Sequence, residues 1–330
     1  MRWTTTLVLA LLTTGAVACS DGEDGGDADG GGCGDDSPVV AFDHDTIDPD
    51  RGIGGGVPEI SVAAADGEPE MITGSWVVSQ PDFSPDGDRL VAVKADGDYE
   101  SSGPDASTLW VIGTDGIDAT EPRELTSGDV LDEDPDWSPD GETIVFARTV
   151  FDPAREVFDR YIMTVPADGG EPRALVSSTD DGDWLDEPTW SPDGTRLVYI
   201  RTVQEAGSVD LVTTLWTMAA DGSDAEALVT LTYIEDIGWH PDGTSLVVTT
   251  GDGAHVVDLD SGTAERLTDE AGYVAWAPDG EHLYHATRAA REEGAHGIRR
   301  SLVEDGALVD TEEIVTARHP WTSFAVGPCA

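Results

Sequence analysis

Asp136-Trp137-Ser138-Pro139-Asp140-Gly141, followed by the apolar run Thr143-Ile144-Val145-Phe146, decides the fold. An aromatic residue enters a tight turn and a β-branched, aromatic strand leaves it. Pro sets φ at the second turn position, Asp bonds to turn amides, and Gly supplies the left-handed residue. The same unit stands at Phe83-Ser84-Pro85-Asp86-Gly87 and at Trp190-Ser191-Pro192-Asp193-Gly194. Two variants follow, Trp239-His240-Pro241-Asp242-Gly243 and Trp276-Ala277-Pro278-Asp279-Gly280. Their aspartates, Asp86, Asp140, Asp193, Asp242 and Asp279, are spaced by 54, 53, 49 and 37 residues. Self-similarity at such a period marks a repeat architecture.

Between these inner hairpins lies a second unit: an alternating strand, an Asp-Gly turn, and a return strand. Leu109 to Asp115-Gly116 to Leu125-Thr126 is one copy, and Leu215 to Asp221-Gly222 to Leu228 another. Asp-Gly between alternating hydrophobics is a strong hairpin signal. One inner plus one outer hairpin makes a four-stranded sheet, and repetition of such sheets predicts a β-propeller. Six outer hairpins can be counted, from Ile60–Thr73 to Ile298–Thr316, against five complete inner ones. The sixth inner hairpin reads as split between Pro38-Val39-Val40-Ala41-Phe42 and Phe324-Ala325-Val326-Gly327. The expectation is an all-β, six-bladed propeller of four-stranded antiparallel blades over residues 38–330, its first blade closed by both termini. Cys33 and Cys329 flank that seam and are expected to form a disulfide in an exported protein, worth about 5 kcal/mol in the chain-entropy model.

Composition bounds the partners. The 330 residues carry a formal net charge of −50, from 67 acidic against 17 basic residues. Such a field repels nucleic acid and anionic lipid surfaces. It fits either solubility in a salty medium or a dedicated cationic partner. At the N-terminus, Arg2 precedes the apolar run Leu7–Leu12 and then Ala16-Val17-Ala18-Cys19, which predicts a signal peptide over residues 1–18. Ala-Val-Ala-Cys resembles a bacterial lipobox, which implies cleavage before Cys19, acylation of its thiol, and a membrane anchor. The alternative is ordinary cleavage that removes Cys19 or leaves it free. Residues 19–37 are mostly Gly and Asp and read as a disordered acidic tether.

The repeats resemble the WD40-like "PD" repeats of TolB-type six-bladed propellers, which also occur in the propeller domains of prolyl-oligopeptidase-like enzymes. The resemblance covers nearly all of the chain after the tether. It implies an extracytoplasmic scaffold whose faces and central tunnel bind proteins or peptides. TolB proteins carry an additional α/β domain before the propeller, and here the tether occupies that place.

Chemistry is sparser in the sequence. The nucleophile elbow Gly-x-Ser-x-Gly and the zinc motif His-Glu-x-x-His are both absent. His282 and His285 stand three apart on a predicted strand, so they face opposite ways and chelate poorly. The five turn aspartates are read as structural caps. The candidate ligand-binding mouth is the row before each inner strand, Gln80, Asp134, Glu187 and Asp236, with Glu235 beside the last. Converging carboxylates there would admit calcium (at Asp134, Glu187 and Asp236), a polyamine or a basic peptide, or would form only a solvated rim. The leading expectation is a monomeric, non-enzymatic, lipid-anchored envelope protein that binds an envelope protein or basic peptide, with no cofactor and no nucleic acid. The alternatives are a solute or glycan receptor using that mouth, and a hydrolase or lyase with a carboxylate site there.

Overall fold

The computed structural model describes residues 38–46, 57–64, 70–73, 78–96, 106–114, 122–178, 183–204, 211–269, 271–287, 296–304, 306–317 and 324–329. The signal segment, Cys19, Cys33 and the tether lie outside them. Twenty-four strands are formed among the described residues, and no helix there is long and apolar enough to cross a membrane.

The first sheet joins the two ends of the described chain. Its order is β24 (Phe324–Cys329), β1 (Pro38–Thr46), β2 (Val57–Ala64), β3 (Glu70–Met71). Antiparallel pairing sets Phe42 against Phe324 and Pro38 against Cys329. Next come β4 (Val78–Phe83), β5 (Arg89–Asp96), β6 (Ala106–Gly113) and β7 (Arg123–Glu124). The following set is β8 (Leu131–Trp137), β9 (Thr143–Asp152), β10 (Val157–Pro166) and β11 (Arg173–Ser178). A four-stranded sheet follows from β12 (Trp184–Trp190), β13 (Arg196–Gln204), β14 (Leu211–Ala219) and β15 (Glu226–Leu231). Another is β16 (Ile234–Trp239), β17 (Ser245–Thr250), β18 (Gly253–Asp258) and β19 (Ala264–Thr268). The last is β20 (Ala271–Trp276), β21 (His282–Thr287), β22 (His296–Glu304) and β23 (Ala307–Ala317).

The fold is an all-β propeller, but its hydrogen-bonded sheets number five among the described residues, not the expected six. The cause is local. Ser107 of β6 pairs in parallel with Leu131 of β8, and this single rung fuses β4–β7 with β8–β11 into one eight-stranded sheet. Ser107 reinforces the rung by donating its hydroxyl to the Asp132 carbonyl at 3.0 Å.

Packing explains the strand sequences. Each return strand is covered on both faces, so Leu90–Val93 of β5 and Leu197–Ile200 of β13 are buried without alternation. The core clusters lie between successive strand sets. Val145, Ala147 and Ile162 meet Leu185, Leu197 and Tyr199, and Val40 and Phe42 meet Tyr284, Ala286 and Ile298. Burial of each such side chain contributes about 1.5–3 kcal/mol before chain entropy is counted.

The Ser-Pro-Asp-Gly turns are stitched internally. Ser138 Oγ donates to Asp140 Oδ1 at 2.6 Å and accepts from Thr143 N at 2.9 Å, while Glu142 N reaches Asp140 at 3.0 Å. Ser84–Asp86 and Ser191–Asp193 repeat that geometry. In the variants, Asp242 accepts from Thr244 N and Asp279 from Glu281 N, both at 2.8 Å. Gly141 sits at φ 72°, where only glycine is unstrained, and a Cβ there would lie 3.7 Å from Pro85 of the preceding turn.

Candidate functional site

Each inner strand is interrupted just before its aromatic residue. Register shifts fall between Ser79 and Asp82, Glu133 and Asp136, Asp186 and Thr189, Ile234 and Asp236, and Ala271 and Val274. These are bulges, which bend a strand and re-aim a side chain. Three have a non-glycine residue in the left-handed region: Gln80, Asp134 and Glu187, at φ 50°, 52° and 50°. Such backbone costs about 1–2 kcal/mol per residue and persists only where its surroundings hold it. A proline follows each one, Pro81, Pro135 and Pro188, so the bulge leaves no amide there to be satisfied.

The bulged residues line a cavity of about 390 Å³, bounded also by the β20 and β24 backbones. Gln80, Asp134, Glu187 and Asp236 all reach it. Glu235 does not line it; it lies in the β16 bulge and its charge opposes ionisation of Asp236. A second row, Asp82 and Asp136, also lines the cavity and was not singled out from the sequence. Each stands two residues after a row member and immediately before the aromatic, but the bulge between them interrupts strand alternation, so the spacing alone does not place them on the cavity.

These side chains tie one inner strand to the next. Gln80 Nε2 donates to Asp134 Oδ1 at 2.6 Å, and Glu187 N donates to Asp134 Oδ2 at 3.2 Å. Asp82 accepts from Trp137 N at 2.7 Å, Asp136 from Trp190 N at 2.8 Å, and Asp236 from Val274 N at 2.7 Å.

Loss of water raises the proton affinity of this whole group. Desolvation pushes Asp134 up, and pushes Asp136 and Glu187 well above the carboxylate range; Asp82 opposes Asp136, and Asp134 and Asp236 oppose Glu187. At the rim, Asp186 is raised to about 7, by desolvation first and then by Asp134 and Glu133. Burial and mutual repulsion therefore both oppose full ionisation of the cluster.

The calcium expectation does not survive. Among the described residues no group of three or more His, Cys, Asp or Glu side chains is placed to hold a metal ion, and Asp134 and Asp236 instead accept from backbone amides of neighbouring strands. The two histidines part as their spacing requires. His285 is buried against Ser301 Oγ at 2.8 Å and pushed down to about 4 by desolvation, while His282 lies 2.8 Å from Asp279.

No protein-family profile matches the chain. A curated relative, the uncharacterized peptidase YuxL of Bacillus subtilis, is 28% identical over 231 residues, covering 68% of this chain and 31% of that protein. The chain spans 31–39% of the length of the curated relatives it matches. Among solved structures, TolB from Acinetobacter baumannii superposes with a TM-score of 0.67 at 16% identity, over 89% of this chain and 68% of that one. A puromycin-hydrolyzing peptidase of Mycobacterium tuberculosis gives 0.51 at 16% identity, over 79% of this chain and 43% of that one. The expectation of a non-enzyme is overturned here, since a relative in sequence bears the name of peptidase. In its fold, this chain is a TolB-like β-propeller.

Proposed function

We propose that this propeller works outside the cytoplasm as a lipid-anchored envelope protein, and that its carboxylate-lined cavity receives a cationic segment of a partner. One observation carries the reading: three successive strands spend left-handed backbone to present Gln80, Asp134 and Glu187 to one cavity. A solvated rim needs no such strain. A cation entering the cavity would favour ionisation of carboxyls whose ionisation burial opposes, so uptake of the ligand would release protons. The anchor at Cys19, the bridge between Cys33 and Cys329 and the monomeric state belong to the same proposal. Pairing of Cys329 with Pro38, five residues from Cys33, supports the bridge.

The six-blade count is also part of this reading. The eight-stranded sheet counts as two blades, because a single rung joins them and their inner strands, β4 and β8, both line the cavity. The β24–β1 pairing then closes the ring.

Calorimetric titration of spermidine and a basic peptide tests the proposal against Asp134→Asn/Glu187→Gln/Asp236→Asn. Binding by the wild type, lost in the triple variant and accompanied by proton release, supports it; equal binding by both sinks it. A second reading places catalysis in the same cavity. It is favoured by Glu187, whose proton affinity desolvation and then Asp134 raise well above normal, as a general acid requires, and by the peptidase named among the relatives. Turnover of peptide or glycan substrates abolished by Glu187→Gln would establish it.

A further inference from the structure

The face on which the inner strands begin carries an aromatic surface that the cavity alone does not explain. Phe151 at the end of β9 pairs with Phe158 at the start of β10, their ring centroids 5.2 Å apart. The guanidinium of Arg160 lies 5.9 Å from the Phe158 ring centre and 3.9 Å from that of Trp184, the first residue of β12. Strand register brings Leu211 to the same end: Trp184 opposes Thr202, Thr202 opposes Thr213, and Leu211 is two residues further on. Phe151, Phe158, Trp184 and Leu211 are 50%, 43%, 47% and 52% exposed. Large apolar side chains grouped in this way mark an interaction surface.

Charge says what would cover it. Asp186 and Glu187 follow Trp184 by two and three residues on β12, within about 10 Å of strand. Arg160 draws Asp186 toward ionisation, which ties the aromatic surface to the rim. Trp184 already holds one guanidinium over its ring and remains half-exposed. A half-exposed indole in a field of net charge −50 is suited to a second cation.

We propose that Phe151, Phe158, Trp184 and Leu211 dock an arginine-bearing peptide segment whose guanidinium stacks on Trp184 and whose apolar residues cover the phenylalanines. The inference rests on the cationic-ligand reading of the cavity and adds the chemistry of the partner. A neutral glycan would use the ring but not the charge, and a small polyamine the charge but not the ring.

Anisotropy of a short labelled peptide alternating arginine and leucine tests this, with spermidine and a neutral oligosaccharide titrated separately. Trp184→Ala and Phe158→Ser are expected to weaken peptide binding about tenfold or more each, with Trp184→Phe recovering part of it and spermidine binding unchanged. Thermal unfolding confirms that each variant is folded. Peptide affinity unaffected by the aromatic variants but lost in Asp134→Asn/Glu187→Gln overturns the docking surface and leaves the cavity reading standing. Failure of wild-type protein to bind peptide or spermidine overturns both. Oligosaccharide binding that depends on Trp184, with none of the peptide, overturns the peptide in favour of a sugar.

Discussion

Asp132, Asp136 and Asp140 stand four residues apart in one hairpin, and the structure treats each differently. Asp132 is fully buried and takes a two-pronged contact from Arg148, at 2.6 and 2.8 Å. Asp136 faces the cavity, is held by Trp190 N and Thr189 Oγ1, and has its proton affinity raised well above normal. Asp140 is exposed at the turn, where first the Ser138 hydroxyl and then the Glu142 amide hold it below the carboxylate range. One residue type thus meets a cation, a carboxyl-lined cavity, and a ring of donors within nine residues. Burial opposes the ionisation of Asp136 while turn donors favour that of Asp140, which is why the chemistry belongs to the cavity and not to the repeated turns.

Removing Arg148 should break this comparison most severely. Arg148→Met leaves Asp132 buried without its cation and is expected to lose about 3–5 kcal/mol in urea unfolding. Arg148→Met/Asp132→Leu should recover much of that loss, since the penalty lies in the unpaired charge; equal losses in single and double variants would refute this. Asp136→Ala comes next. It strips the acceptor from Trp190 N in a partly buried junction, for an expected loss of about 1–3 kcal/mol.

The turns and the cavity were not equally legible in the sequence. Ser138-Pro139-Asp140-Gly141 acts through contacts within six residues, so its hydrogen bonds follow from its own spelling. The mouth row was also readable, because Gln80, Asp134, Glu187 and Asp236 stand at one position before the aromatic of each copy. What escaped is non-local. Asp82 and Asp136 matter because each reaches an amide in the next inner strand, more than fifty residues on. No spacing rule within one repeat announces that reach. The Ser107–Leu131 rung escaped for the same reason, and so did the reach of Asp134 and Asp236 to amides of neighbouring strands.

The pH dependence sharpens the comparison, with an effect between those of the variants above and the turn variant below. For the cavity group the folded state holds protons that the unfolded chain, with carboxyl pKa near 4, releases. Asp186 sits at about 7, with Asp134, Asp136 and Glu187 displaced the same way. Their contribution is thus fully present below about pH 4 and is lost as pH rises through the folded values. Asp86, Asp140 and Asp193 run oppositely: their stability is present above the ordinary carboxyl value and is lost as pH falls through the folded values, about 2 for Asp193. Stability should therefore peak near pH 4, where the turn contribution is complete and the cavity contribution has not yet begun to fall. Raising the pH from 5.5 to 8 at fixed salt should lower Tm by several degrees, and Asp136→Asn/Glu187→Gln should flatten that slope. A slope unchanged in the variant would assign it to surface repulsion instead.

The smallest effect tests the sign of the comparison directly. Asp140→Asn keeps an acceptor oxygen for Ser138 Oγ and Glu142 N and gives up only a charge that solvent already screens. A loss of about 0.5 kcal/mol or less is expected at neutral pH, vanishing in acid. Asp136→Asn makes the same chemical change four residues away, inside the cavity. There the lost charge is one that desolvation and Asp82 oppose, so at pH 8 the variant should be as stable as the wild type or more so. Paired urea titrations of the two at pH 8 should move in opposite directions, or leave Asp136→Asn unmoved while Asp140→Asn falls. A matching loss in both would mean that the cavity carboxyls are ionised and satisfied as fully as those of the turns, and the distinction between the two regions would collapse.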